Sequence, residues 1–198
     1  MKILLVSPPI EHIARFDPEG WDIEQDDFGK FPPLGLMYLA SNLEHGADHE
    51  IKLIDCVSER LSYPQLEEEI ARFAPDLAAV SCCTVVLHDC MLVARIIKNL
   101  RPSCHVCFGG PQVSDFPEES LALAGVDSVV RGEGERVFAA LVAALERGKS
   151  IDEIPGLATK RNASRPDRFA VNEIRDVDTL NSPDRSRLAK GVYFNAVG

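Results

Sequence analysis

The sequence has no CxxxCxxC spacing anywhere, which excludes an iron–sulfur cluster held by that motif within the chain. No apolar run approaches the length of a bilayer span. The opening stretch Met1-Lys2-Ile3-Leu4-Leu5-Val6-Ser7 is too short for a signal peptide and runs straight into prolines. A cytoplasmic protein with no membrane partner is expected. Basic residues are scarce: 21 Lys and Arg stand against 31 Asp and Glu, a net charge of −10. That deficit argues against a nucleic-acid groove, which needs a basic stripe, and no basic membrane-surface helix is present.

The usual nucleotide signatures are missing too. A dinucleotide fold places G-x-G-x-x-G after the first strand, where this chain has Ser7-Pro8-Pro9. Gly132-Glu133-Gly134-Glu135-Arg136-Val137 looks similar, but Val137 stands at the third glycine and the glutamates repel a pyrophosphate. No complete Gly-x-x-x-x-Gly-Lys-Ser/Thr phosphate loop occurs. A receiver domain wants acids after the first and third strands, where Ser7 and Ser81 stand.

Cysteine is not scarce. Cys56, Cys82, Cys83, Cys90, Cys104 and Cys107 fall largely within apolar patterns, so reduced, buried thiols are expected. Cys104-His105-Val106-Cys107 has no second pair to complete a zinc site, and Cys107 belongs to an apolar run. Strand packing explains it better.

What is present is a regular alternation. Ile3–Val6, Ile51–Ile54, Leu77–Val80, Val106–Phe108 and Ser128–Val130 are short and apolar, as strands covered on both faces should be. Helical patterns lie between and after them: Leu36, Leu39, Ala40 and Leu43; Leu66, Ile70 and Phe73; Leu92, Val93, Ile96, Ile97 and Leu100; a short helix from Pro117; and Val137, Phe138, Leu141, Val142 and Leu145. Ser62 and Gln65 are spaced for a capping box. The pattern predicts an α/β, doubly wound, Rossmann-like or flavodoxin-like fold with a five-stranded parallel sheet and helices on both faces.

Two stretches break the rhythm. Residues 10–31 form a long loop carrying Phe16, Trp21, Phe28 and Phe31. From Ile151, Gly156–Lys160 and Phe169–Val171 read as a short hairpin, followed by a polar linker. The expected division is residues 1–150 as the binding domain and 151–198 as hairpin and linker.

The functional signal lies in the turns after the strands. Ligands of doubly wound sheets bind at the carboxyl ends of the strands. There the chain has Ser7-Pro8-Pro9, Ser81-Cys82-Cys83-Thr84, Gly109-Gly110-Pro111 and Arg131-Gly132-Glu133-Gly134-Glu135. Small residues after the third and fourth strands predict a slot between the third and fourth crossovers. Together with Pro32-Pro33-Leu34-Gly35-Leu36 and Ile154-Pro155-Gly156-Leu157, these segments resemble, in order, the amino-terminal cobalamin-binding domain of radical S-adenosylmethionine (SAM) enzymes.

The resemblance implies cobalamin as cofactor and a radical SAM domain beyond this chain that holds a [4Fe–4S] cluster and S-adenosylmethionine. The implied activity is that of a methyltransferase or a related ring-forming enzyme. It implies a cofactor-binding set of Ser7, Pro8, Pro9, Leu34, Ser81, Cys82, Cys83, Thr84, Gly109, Gly110, Pro111, Gly132 and Glu133. Ser81 would bond the displaced base, Thr84 a corrin amide, and Gly109-Gly110 would lie along the nucleotide tail. Pro8, Pro9 and Leu34 would pad the lower corrin face. Other branches carry Asp-x-His-x-x-Gly after the first strand; His12 does not fit that spacing. The implied binding is base-off without that histidine and with no protein metal ligand.

Plainer readings compete. Gly109-Gly110 serves equally as a tight turn, Ser81 as a helix cap, and Glu133 and Glu135 as acids at a helix start. Asp55 suits a turn cap, His88 an exposed position, and Trp21 packing on its own domain. His45 and His49 lie at the wrong end of the sheet. The alternative function is a degenerate fold without cofactor, serving as a docking or substrate-binding module.

Overall fold

A computed structural model of the protein describes residues 1–12, 31–43, 49–165, 173–183 and 185–193. Its centre is a six-stranded sheet in the order β2-β1-β3-β4-β5-β6. The strands are β1 (Lys2–Ser7), β2 (Glu50–Asp55), β3 (Leu77–Ser81), β4 (His105–Gly109), β5 (Ser128–Val130) and β6 (Leu157–Thr159). The first five are parallel, and β6 runs antiparallel to β5, pairing Val130 with Leu157 and Ser128 with Thr159. The expected parallel core is therefore present with one strand more than the alternation predicts. Leu157–Thr159 pairs with β5 at the edge of the sheet. The expected partner, Phe169–Val171, lies outside the described residues, as do Phe16, Trp21 and Phe28.

Ile3, Leu4, Leu5 and Val6 have no exposed surface because β1 sits between β2 and β3 with helices on both faces. On one face lie α1 (Leu34–Leu43) and α6 (Glu135–Glu146), covering Ile3, Leu5, Ala79 and Cys107. On the other lie α2 (Tyr63–Phe73), α3 (Leu87–Leu100), α4 (Pro111–Asp115) and α5 (Pro117–Ala122), covering Leu4, Val6, Val80 and Phe108. Alternate residues of each strand serve opposite cores, as the strand period requires.

The α2 amino end closes as its spacing predicts: Gln65 Oε1 accepts from the Ser62 N–H at 2.9 Å and from its hydroxyl at 2.8 Å. Strand order reverses between β1 and β3, so the switch point of the sheet falls there.

The chain after β6 returns across the α1/α6 face. Arg136 Nη2 donates to Thr179 Oγ1 at 2.9 Å, and Asn181 Nδ2 donates to the Ser41 carbonyl at 3.0 Å. Asn42 Oδ1 accepts from the Asn181 N–H at 3.2 Å, and Leu188 packs into the α1/α6 core. The described part of the expected linker is thus fastened to the domain.

Candidate functional site

At the carboxyl edge the sheet opens into a slot of about 180 Å³. Its floor is formed by Ala79–Ser81 of β3, Cys107–Gly109 of β4 and Val130 of β5. Its walls come from α1, through Gly35, Leu36 and Leu39, and from α6, through Glu135 and Phe138. Gly132–Gly134 edge the mouth. The expected slot exists, but on the face opposite the third and fourth crossovers, because α3, α4 and α5 cover the other side of the sheet. A cavity of about 150 Å³ accepts a benzene-sized ring. This one is apolar below and open above, suited to a flat heterocycle whose polar continuation leaves through the mouth.

The glycines divide by role. A Cβ on Gly35 would meet nothing within 4 Å, and one on Gly109 would come no nearer than 3.9 Å to the Val130 carbonyl oxygen. These two leave space that the chain does not fill. Gly110 has φ +110°, and a Cβ there would lie 2.8 Å from the Cys82 carbonyl oxygen. That turn is knitted to β3: Cys82 N–H donates to the Gly109 carbonyl at 2.7 Å, and Gln112 N–H donates to the Cys82 carbonyl at 3.1 Å. Gly110 answers a demand of the backbone.

Of the thirteen residues expected from sequence, Ser81, Gly109, Gly110, Gly132 and Glu133 line the slot. Cys83, Thr84, Leu34 and Pro111 are exposed at the same edge, and Ser7 ends β1 there. Pro8, Pro9 and Cys82 are buried by the chain itself, which leaves the prolines no open face for a corrin. Glu133 is engaged, its carboxylate accepting from the Ile174 N–H. Ser114 anchors the neighbouring turn, its carbonyl accepting from Arg131 Nε at 2.8 Å and its hydroxyl from the Gly132 N–H at 3.2 Å.

Sequence reasoning missed the helical half of the slot. Leu36, Leu39 and Phe138 read as ordinary core positions, and Glu135 as a helix-start acid. Gly35 carried a usable signal: a glycine in the first turn of an apolar helix has no propensity reason to be there. Gly148-Lys149-Ser150 also occurs, but it follows α6, so it is no phosphate loop, whose helix must begin after the triplet.

On the other side of the same edge, Asp89 in the first turn of α3 is fully buried and gathers three donors. His12 Nδ1 lies 2.7 Å from Asp89 Oδ1, the His12 N–H donates to Oδ2 at 3.2 Å, and the Tyr63 hydroxyl donates to Oδ1. Burial and the adjacent Asp89 push the Tyr63 phenol upward, which keeps it a donor. The exposed His88 ring stands 4.8 Å from that of His12. Asp55 is buried and accepts from the Ser58 N–H at 3.5 Å, a turn-holding role as expected.

Burial raises the thiols of Cys56, Cys104 and Cys107, the last two to about 12. Cys90 also rises, chiefly through its contact with Cys82 and then through burial. Cys83 alone among the six is exposed. The described residues contain no group of three or more His, Cys, Asp or Glu placed to hold a metal ion. None of their helices is long and apolar enough to cross a membrane.

Comparison with known proteins agrees with this fold. The chain is 35% identical over 204 residues to the uncharacterized methyltransferase PH0819 of Pyrococcus horikoshii, spanning 100% of this chain and 42% of that protein. The fold superposes on the cobalamin-dependent S-adenosylmethionine radical enzyme OxsB with aqua-cobalamin bound. The TM-score there is 0.66 at 18% identity, covering 92% of this chain and 24% of that one. It also superposes on the radical S-adenosylmethionine methyltransferase TsrM of Kitasatospora setae with cobalamin and a [4Fe–4S] cluster bound. That TM-score is 0.63 at 23% identity, covering 81% and 27%. The chain thus spans less than half the length of these proteins. The family match runs over residues 27–142, taking in both walls of the slot and its floor, and the chain belongs to the B12 binding domain family.

Proposed function

We propose that this chain is the cobalamin-binding part of a cobalamin-dependent radical SAM enzyme, a methyltransferase or a close relative. The observation that carries the reading is the slot over Ser81 and Gly109, walled by α1 and α6. Residues 1–150 form the binding domain and residues 151–198 the connection to a radical SAM domain, which holds the [4Fe–4S] cluster and S-adenosylmethionine.

Ser81, Gly109 and Gly35 receive the nucleotide arm, the apolar side chains of α1 and α6 clasp its ring, and the exposed Leu34, Cys83, Thr84 and Pro111 meet the corrin. This places the dimethylbenzimidazole away from cobalt, the base-off form, with no histidine from an Asp-x-His-x-x-Gly motif. When bound, cobalamin supplies a cobalt centre able to accept a methyl group from S-adenosylmethionine. The chain's contribution is to hold that group at the sheet edge and keep water from its arm.

The test is to mix the protein with hydroxocobalamin and follow gel filtration and absorbance. Co-elution of one equivalent with a base-off spectrum supports the reading. Separation of protein and corrinoid would leave the fold as a docking module without cofactor.

A further inference from the structure

Glu135 is the one member of the slot that packing does not explain. It opens α6 and lines the cavity, and its Oε2 is buried without a hydrogen-bond partner. Leaving such a group unsatisfied is costly, and native proteins keep few of them. The cations nearest in sequence are turned elsewhere: Arg131 bonds the Ser114 carbonyl and Arg136 bonds Thr179. Across the slot the walls are Gly35, Leu36 and Leu39, which offer no side-chain donor.

A carboxylate only accepts hydrogen bonds, and the amino end of α6 favours its negative charge. The missing partner therefore brings a proton to donate and no negative charge of its own. A phosphate is excluded by repulsion, and an aromatic ring offers no donor. On the nucleotide arm of cobalamin, the linker amide N–H and the ribose hydroxyls meet both conditions, and of these only the hydroxyls belong to the nucleotide whose ring the slot would clasp.

We infer that Glu135 recognises the ribose of the nucleotide arm by accepting a hydrogen bond from one of its hydroxyls. This rests on the slot being the arm's site and goes beyond it, because it assigns to one carboxylate the choice between complete corrinoids and those lacking a nucleotide.

The experiment measures affinity for hydroxocobalamin and for diaquacobinamide, which has no nucleotide, in the unaltered protein, Glu135→Leu and Glu135→Gln. Glu135→Leu is expected to lose about tenfold in cobalamin affinity while cobinamide changes by less than about twofold. Glu135→Gln, which keeps an acceptor oxygen, falls between. Thermal melting without corrinoid gives an independent readout: Glu135→Leu melts no lower than the unaltered protein, because the unpaired buried oxygen is gone. Equal losses for both corrinoids, or no loss for cobalamin, overturn the assignment while leaving the cobalamin reading intact. If the unaltered protein binds neither corrinoid, the cobalamin reading itself fails and this assignment with it.

Discussion

The carbonyl oxygen of Cys82 lies 2.8 Å from the point a Cβ on Gly110 would occupy. The contact separates the two glycines of the Gly109-Gly110 turn: a Cβ on Gly109 would make only an ordinary contact, 3.9 Å from the Val130 carbonyl oxygen, whereas one on Gly110 would collide with backbone. A large residue at Gly110 would damage β3 and the start of α4 before it reported on any ligand. Gly110→Ala is expected to destabilise the protein by about 2 kcal/mol or more, through strain at positive φ and the Cys82 contact. Denaturant unfolding measures this; a loss below about 0.5 kcal/mol would show that the turn relaxes freely.

Gly35 allows the cleaner experiment. Its missing side chain faces no atom within 4 Å and the residue lines the slot, so Gly35→Phe adds bulk at the slot wall without a clash at its Cβ. Stability should stay within about 0.5 kcal/mol while hydroxocobalamin binding falls at least about tenfold. Undiminished binding in a folded Gly35→Phe protein would remove the slot from the proposed site.

Asp89 is the largest polar commitment of the opposite core. Because Tyr63 and His12 both donate to a fully buried carboxylate, Asp89→Ala should cost about 3 kcal/mol and Tyr63→Phe about 1.5 kcal/mol. The double variant should cost less than the sum, since the two residues share one bond. Strict additivity in a double-mutant cycle would show that the bond is not made in solution.

Thiol labelling probes the site edge directly. Of the six cysteines only Cys83 is exposed, so one thiol should react rapidly with a disulfide reagent and the rest only on unfolding. Saturating hydroxocobalamin should slow that one reaction if the corrin covers Cys83. Rapid reaction of several thiols would contradict the burial pattern.

His105 predicts a pH dependence. Burial disfavours its charged form and lowers it from 6.5, and Nε2 lies 2.7 Å from Ser128 Oγ. The unfolded chain therefore binds the proton more readily than the folded one. Stability is complete above about pH 6.5 and falls as pH drops from there toward the depressed folded value. His105→Gln should flatten the slope of unfolding free energy in the range just below about pH 6.5. An unchanged slope would assign the acid sensitivity to carboxylates.

The parallel core was legible because burial on both faces leaves no alternative to continuous apolar runs such as Leu77–Val80 and Val106–Phe108. Helix starts were legible where side chains close them, as Ser62 and Gln65 do for α2. The floor of the slot was legible through Ser81 and Gly109, since small residues after adjacent strands leave room at the sheet edge, although a turn or a cap would use them equally well.

Its walls were not. Leu36, Leu39 and Phe138 would show the same periodicity whether they pressed on the sheet or overhung its edge. The side of the sheet that carries the slot depends on where each crossover passes, which local pattern does not encode. Nor did spacing reveal that Asp89, 77 residues from His12, would hold it, because that pairing exists only once β1 and β3 are neighbours. The direction of β6 was hidden for a related reason: three residues, Leu157, Ala158 and Thr159, give a strand but no orientation.

Ser41 and Asn42 on one helix and Arg136 on the other are gripped by a single run of chain between Thr179 and Asn181. That run works as a clasp between two jaws. Farther along the chain, Arg187 Nη1 donates to the Ile51 carbonyl of β2 at 3.2 Å, so the same tail is tied to the sheet as well as to the two helices. The two helical walls of the slot are thus joined to each other through the tail as well as through the sheet.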